Sequence, residues 1–219
     1  AATLLARAVA AHGGRERIAA LRSYRHEHAV TKGAMTEQRR LAMKWPAGLR
    51  VDHDYLQGEK SWRYGRVIDG EQAFFLEMGK GRAMGADARL DTLRDLGREP
   101  LLALRTAIDG AAVVVAAGKR EVLGATVEEL AVWQHGRTTF LGINEAGNVV
   151  TARFRGRGPG SWFGAVELRF TDFQETPLMI ATSVRGTFDG KDEPSFAETR
   201  TGVAVDSELA ADLFVRPKQ

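Results

Sequence analysis

The chain has 219 residues, a length that suits one β-domain with a buried core. It lacks cysteine, which excludes disulfides, thiolate nucleophiles and cysteine metal clusters. Its net charge is only +3 and its acidic and basic residues are interspersed, so no concentrated basic stripe points to nucleic acid. No segment approaches the roughly 20 apolar residues that a membrane span needs.

The first predicted element is a helix over residues 3–21, in which apolar residues recur at helical spacing. Thr3 is expected to cap its start and Gly13-Gly14 to interrupt it. The opening Ala1-Ala2-Thr3 resembles the start of a chain after a signal-peptidase cut, although a chain trimmed in another way would look the same. We therefore interpret the protein as one that is exported after removal of a signal peptide.

After this helix the apolar pattern changes to a period of two, which is typical of strands. The dipeptide Asp69-Gly70 predicts a tight hairpin turn, whereas Gly79, Gly81 and Gly85 predict a flexible loop. The predicted strands of this region are residues 23–30, 35–44, 49–55, 61–68 and 72–78.

A helical insertion then interrupts the strands. Leucines three and four residues apart predict helix over residues 89–107, and Gly97 and Pro100 divide it into two short helices. Strands return after residue 111, and Gly164 in the longest of them predicts a bend or a close approach of another group. The predicted strands are residues 112–116, 121–123, 127–134, 138–143, 149–155, 162–173, 179–186 and 196–205.

Few residues suggest catalysis. His26 and His28 share a strand face and His53 could complete a metal site, but nothing fixes a third ligand, so histidines facing solvent or a lid are the favoured interpretation. Asp52 and Asp54 could be paired catalytic carboxylates, but a solvated strand face is favoured. The sequence has no GxSxG elbow, phosphate loop or dinucleotide fingerprint. We expect no catalytic residue, no metal, no cofactor and no enzymatic activity.

The large apolar residues are the remaining candidates for a site. The concave face of an open barrel must be covered or filled, so these residues either line a cavity or form a dry core. Methionine and aromatic side chains adapt well to flexible apolar ligands. The candidate ligand-binding residues are Leu76, Met78, Leu101, Leu104, Phe140, Phe154, Trp162, Leu168 and Phe170, with Leu101 and Leu104 in the helical lid.

The order of these elements resembles that of the periplasmic lipoprotein-carrier superfamily, the LolA/LolB-like proteins. The segments that carry the resemblance are residues 23–30, Trp45-Pro46 to Val51, Ile68-Asp69-Gly70 to Phe75, residues 203–205 and Phe214-Val215-Arg216-Pro217. In the lipoprotein carrier a basic residue precedes the proline of the first bend and ties the lid to the sheet. Trp45 occupies that position here and cannot supply the same charge-assisted hydrogen bonds. The chain therefore resembles an uncharacterised relative of the carrier.

The resemblance implies a mainly β fold, an incomplete antiparallel barrel of about eleven strands with an N-terminal helix and an inserted helical lid. It implies a single domain over residues 1–219: an N-terminal helix (1–21), a first sheet half (23–78), a lid (86–108), a second sheet half (111–205) and a C-terminal segment (206–219). The implied function is non-enzymatic periplasmic binding and transport of a lipid or lipoprotein acyl chain. The protein would be a monomer that exchanges its ligand with a membrane-bound transporter or acceptor. The alternative is a protein-interaction or sensor module whose sheet is fully packed.

Overall fold

A computed structural model describes residues 1–32, 35–46, 48–157, 163–190, 195–210 and 212–216. The chain divides into two compact units. Unit 1 comprises Ala1–Ala20 and Leu93–Ala197, and unit 2 comprises Leu21–Thr92 and Glu198–Gln219. No helix among the described residues has the length and apolar character needed to cross a membrane.

Unit 2 contains a sheet in which each strand pairs antiparallel with the next, in the order β6-β5-β4-β3-β2-β1-β13. Helix α3 (Ala86–Arg94) follows β6 and ends at the boundary with unit 1. The strands are β1 (Ser23–Lys32), β2 (Met35–Lys44), β3 (Gly48–Gln57), β4 (Lys60–Asp69), β5 (Gln72–Glu77), β6 (Lys80–Ala83) and β13 (Phe196–Val205).

Unit 1 contains the remaining helices and six antiparallel strands, in the order β12-β11-β10-β9-β8-β7. The helices are α1 (Ala2–Ala11), α2 (Arg15–Ala20), a 3₁₀ helix (Asp95–Arg98) and α4 (Pro100–Ile108). The strands are β7 (Val113–Val122), β8 (Ala125–Gln134), β9 (Arg137–Ile143), β10 (Val149–Arg157), β11 (Phe163–Glu175) and β12 (Met179–Phe188).

A buried histidine fixes α1 to this sheet. The Nδ1 of His12 donates to the carbonyl oxygen of Met179 at 2.8 Å, and the N–H of Val149 donates to its Nε2 at 3.1 Å. Both ring nitrogens are therefore used by backbone groups of β10 and β12, which requires the neutral imidazole. Burial lowers the pKa of His12, an effect that outweighs the bond to Met179.

The predicted fold class, mainly antiparallel β with an N-terminal helix and an inserted helical segment, is confirmed. Gly13 and Gly14 both have positive φ and separate α1 from α2, as predicted. The capping prediction is wrong, because α1 begins at Ala2 and its N-cap, Ala1, makes no side-chain capping bond. The insertion does divide at Pro100, which takes the first position of α4.

The described residues form thirteen strands, whereas the resemblance implied a barrel of about eleven. Two differences from the individually predicted strands, one added strand and one merged pair, have a local cause. The glycines after β5 predicted a loop, but Met78 and Gly79, both with positive φ, form a two-residue turn that leads directly into β6. The predicted break near Gly118 is a β-bulge, since the pairing with β8 shifts between Ala116 and Gly118 and β7 continues through it.

Candidate functional site

One face of the unit 1 sheet is mostly apolar, with Thr139 as a buried polar residue between Val132 and Phe154. The pairing register places Leu141 between Leu130 and Ala152, and Phe154 beside Val166, so their side chains share this face. We call it the apolar face. Its buried side chains are Leu130, Val132, Leu141, Ala152, Phe154, Val166, Leu168, Phe170 and Val184.

The helical insert lies on this face. The guanidinium carbon of Arg98 is 4.9 Å from the centre of the Phe154 ring. A β-carbon placed on Gly97 would be 2.7 Å from Nε2 of Gln134 and 3.1 Å from Oγ1 of Thr139. The Nε of Arg94 donates to the carbonyl oxygen of His135 at 2.9 Å, in the turn between β8 and β9. The 3₁₀ helix therefore packs directly against β8, β9 and β10.

Helix α4 follows the 3₁₀ helix and is buried along its length. Every residue from Pro100 to Ala107 is buried, and Leu104 has no exposed surface. Helix α4 packs against α1, α2 and the 3₁₀ helix. Leu101 and Leu104, the residues predicted to face a sheet from a lid, are therefore interior side chains of unit 1.

The predicted lining residues of unit 1 do not all share one face. Phe154, Leu168 and Phe170 lie on the apolar face, but Phe140 pairs with Arg153 and points to the opposite side. The Arg153 guanidinium lies over the Phe140 ring, 3.9 Å from its centre. Trp162 lies outside the described residues.

That opposite face carries an ionic network. Glu129 accepts bonds from Arg153 at 2.7 Å and 2.8 Å and from Arg120 at 3.0 Å, and Arg120 also pairs with Glu167 at 2.9 Å. The hydrogen bond from Arg153 is the main cause that lowers the pKa of Glu129. This arrangement satisfies the charges of a polar sheet surface, and Phe140 belongs to it.

The two predicted lining residues of unit 2 also lie elsewhere. Leu76 packs in a small core with Val67, Phe74 and Phe214, which the C-terminal segment covers. Met78 is 70% exposed at the turn between β5 and β6. Neither contributes to the apolar face of unit 1.

The close approach predicted at Gly164 is present. A β-carbon at this position would collide with the Asp189 carboxylate and the Phe188 ring. The space is used by the Asp189 carboxylate, which accepts a hydrogen bond from the N–H of Ala165 at 2.8 Å. The missing side chain therefore lets the β12 hairpin turn approach β11.

The sequence did not indicate a second candidate site, a polar band on one face of the unit 2 sheet. The Nδ1 of His53 donates to Oε1 of Glu37 at 2.7 Å, and Arg39 contacts the same carboxylate oxygen at 3.1 Å. Arg39 also lies 3.9 Å from Glu198, which is 3.5 Å from Nε2 of His28. All of these side chains except Arg39 are buried. We use the name polar band for these five residues.

Burial lowers the pKa of His53 to about 4 from its usual 6.5. The hydrogen bond to Glu37 acts in the opposite direction, whereas the charges of Arg39 and Arg66 add to the lowering. His53 is therefore neutral near pH 7, and its bond to the Glu37 carboxylate is a hydrogen bond between a neutral donor and a charged acceptor.

The histidines considered as metal ligands have other contacts. The His26 and His28 rings stack with their centres 5.4 Å apart, whereas His53 is bonded to Glu37. Across the described ranges, no group of three histidine or carboxylate side chains is arranged to hold a metal. Asp52 is buried and accepts a bond from Arg50 at 2.7 Å, so the solvated face expected for it is wrong.

Comparison with solved structures identifies the fold. No protein-family model matches the sequence, and no curated protein matches it significantly. The fold is that of the LolA superfamily. A LolA superfamily protein from Nitrosomonas europaea aligns over 92% of this chain and 95% of its own, with a TM-score of 0.57 and 11% identity.

Two further structures show the same fold. A DUF1329 family protein from Desulfovibrio piger aligns over 97% of this chain and 96% of its own, with a TM-score of 0.60 and 10% identity. A candidate outer membrane lipoprotein-sorting protein domain from Vibrio parahaemolyticus covers 88% of each chain, with a TM-score of 0.56 and 11% identity. The resemblance drawn from the sequence is thus confirmed for the fold.

Proposed function

We propose that this protein binds a lipid, or the acyl chain of a lipoprotein, against the apolar face of unit 1 and carries it through the periplasm without catalysing a reaction. The observation that carries the proposal is that short helical segments cover the apolar face of unit 1. The 3₁₀ helix, rather than a second sheet, lies on the apolar face at β8, β9 and β10, and the short helix α4 packs against the 3₁₀ helix. The lipoprotein-sorting name of one structure with this fold supports the same class of ligand.

The free energy gained by burying an acyl chain and the free energy lost by displacing helix α4 are of similar size. Burial of an acyl chain contributes about 0.8 kcal/mol per methylene, so a chain of about 14 methylenes contributes roughly 11 kcal/mol. Displacing α4 exposes the buried Leu101, Leu102 and Leu104, at about 1.5–3 kcal/mol each, or roughly 4.5–9 kcal/mol in all. Because the two quantities are of the same order, loading and release can both proceed, as a carrier requires.

Organic extraction of the purified protein followed by lipid mass spectrometry tests the proposal directly. The double variant Leu101→Asp/Leu104→Asp should lose binding of a fluorescent fatty acid, because a carboxylate buried without a partner is strongly unfavourable. Leu123→Asp is the matched control, since Leu123 is 81% exposed in the turn after β7. Circular dichroism should show that the sheet persists in both. If the double variant binds the fatty acid as tightly as the parent does, helix α4 is not part of the proposed binding site.

The second candidate function is a protein-interaction module. The complete burial of α4 is the observation that favours it, because a fully packed interior leaves no room for a ligand. The last strand in the unit 1 order, β7, offers a surface for such a role, since Val113 and Val115 are exposed beside Trp133. Absence of lipid from the extract, together with no fatty-acid binding by titration, would favour this function.

We further propose that the carrier works as a monomer and exchanges its cargo with a membrane-bound transporter or acceptor. An acyl chain that leaves a bilayer needs a donor and an acceptor at membranes, because its transfer through water exposes apolar surface. Light scattering of the purified protein, and transfer of a labelled lipid between two vesicle populations, test the two parts of this proposal.

A further inference from the structure

Two polar side chains interrupt the apolar face of unit 1 where the 3₁₀ helix lies on it. Gln134 is the last residue of β8, and alternation along that strand places it on the same face as Val132. Thr139 on β9 pairs with Val132, and Gln134 pairs with Arg137, so the two polar side chains are neighbours across these strands. Gln134 is only 4% exposed and Thr139 has no exposed surface. Both are therefore removed from water in mostly apolar surroundings.

The hydrogen-bonding capacity of these two side chains is not used within the described part of the chain. Neither Nε2 nor Oε1 of Gln134, nor Oγ1 of Thr139, has a hydrogen-bond partner among the described residues. The amide both donates and accepts in either of its two orientations, and so does the hydroxyl. Because buried polar groups in native proteins are nearly always paired, this cluster calls for a ligand or another explanation.

The 3₁₀ helix covers this cluster with a glycine. A β-carbon on Gly97 would lie 2.7 Å from Nε2 of Gln134 and 3.1 Å from Oγ1 of Thr139. Since both atoms are within hydrogen-bonding distance of that one point, a single small polar group can reach both. The backbone of Gly97 is not in the left-handed region, so the missing side chain provides space and not a special conformation.

This contact favours displacement of the 3₁₀ helix by a polar ligand. A buried polar group without a partner keeps the full cost of its desolvation, and a ligand that forms hydrogen bonds with it recovers that cost. The bond from Arg94 to the carbonyl oxygen of His135, which holds the helix near this point, is exposed, so water can replace it. The cover can therefore open here at low cost.

The donors and acceptors of the cluster indicate the chemical class of the group that it binds. Gln134 presents an acceptor as well as donors, so a carboxylate, a phosphate or an ester, each of which only accepts, would leave that acceptor unpaired. An amide or a hydroxyl both donates and accepts, and so can pair with Gln134 and Thr139 together. The matching ligand group is uncharged and carries its own donor.

We propose that Gln134 and Thr139 are a recognition site for an uncharged amide or hydroxyl group at the polar end of the acyl ligand, which reaches them when the 3₁₀ helix moves aside. This inference rests on the proposed function of unit 1, because it assigns the polar end of the same ligand. Gln134 lies at the end of β8, so the apolar side chains of the face extend from the site in one direction and accommodate the acyl chain.

The test measures how well three probes displace a fluorescent fatty acid from the full chain. The probes are N-methyldecanamide, methyl decanoate and 1-dodecanol, which have equal numbers of non-hydrogen atoms, and of which only the ester lacks a hydrogen-bond donor. We expect the amide or the alcohol to bind the parent at least about tenfold more tightly than the ester. Whichever of these two binds more tightly identifies the polar group as an amide or a hydroxyl.

Two variants remove the polar atoms with little change of volume. Gln134→Leu and Thr139→Val should each abolish the preference for the amide or alcohol over the ester. Gln134→Leu should also raise the melting temperature of the ligand-free protein, because it replaces a buried unpaired amide by an apolar side chain. The matched controls are Gln174→Leu, at an exposed position of β11, and Thr138→Val, on the opposite face of β9. Both controls should keep the parental preference.

The possible failures of the two proposals are distinguishable. If the three probes bind the parent equally, the acyl site stands and the recognition site is refuted. If neither the probes nor the fatty acid bind, the proposed function fails and this inference fails with it. The inference is also wrong if Gln134→Leu and Thr139→Val keep the parental preference, or if Gln134→Leu lowers the melting temperature, as loss of a structural hydrogen bond would.

Discussion

A reversible disulfide between the 3₁₀ helix and β9 would test whether the insert moves. A β-carbon on Gly97 would lie 3.1 Å from Oγ1 of Thr139. In a disulfide the β-carbon of one cysteine is about 3 Å from the sulfur of the other, so Gly97→Cys/Thr139→Cys matches this distance. The new side chain would displace only the end of Gln134. The chain has no other cysteine to react.

The disulfide is expected to raise the stability of the protein and to stop its uptake of an acyl chain. The crosslink closes a loop of about 40 residues, which the chain-entropy relation converts to about 4 kcal/mol of stabilisation. At roughly 2–4 °C per kcal/mol for a chain of this size, the melting temperature of the oxidised protein should rise by about 8–16 °C. Loading of an acyl chain should nevertheless stop, because the cover of the apolar face can no longer leave β9.

The assay compares uptake of a fluorescent fatty acid by the oxidised and reduced double variant. Reduction should restore both uptake and the parental melting temperature in the same sample, which controls for damage by the substitutions themselves. If the oxidised form is stabilised as expected and still takes up fatty acid at the reduced form's rate, the insert is not a lid. The reasoning from the covered face would then be refuted.

Three further outcomes are expected. Between pH 6.5 and about 4 the unfolded chain holds a proton at His53 that the folded chain lacks. The free energy of unfolding should therefore fall as pH falls, by on the order of 3 kcal/mol across this pH range. The variant His53→Gln should lose this part of the pH dependence, which urea unfolding at several pH values measures. Gly186→Ala should lower stability by about 1–3 kcal/mol in urea because its methyl group would collide with the Phe196 ring, and Gly85→Ala, with open space around it, should change stability little. If the exposed β7 edge drives self-association, Val115→Lys should reduce aggregation during refolding, measured by light scattering, and leave fatty-acid uptake unchanged.

The strand pattern could be predicted well because its signals are local. Alternation of apolar residues located β1, β2 and β13 to within about two residues. The break at Gly13-Gly14 and the start of α4 at Pro100 also follow from backbone preferences of single residues. The turn at Met78 was missed because a non-glycine residue takes the first left-handed position there.

The candidate sites were much less predictable, because a strand has two faces and the sequence does not show what each face contacts. The sequence determines which residues alternate, so Leu168 and Phe170, two positions apart, lie on one face of β11. Pairing register and distant contacts alone decided what each face meets. Leu76 faces the C-terminal Phe214, and Phe140 lies beneath Arg153.

The polar band shows the same division most clearly. His28, Glu37, His53 and Glu198 come from four strands. The sequence suggested His28 and His53 only as possible metal ligands, and nothing in it singled out Glu37 or Glu198. Only the antiparallel pairing of β13, β1, β2 and β3 brings them to Arg39 and buries them. Local sequence determined the strands because backbone and side-chain preferences act over a few residues. The tertiary structure decided the sites because charge pairing and burial depend on residues far apart in the chain.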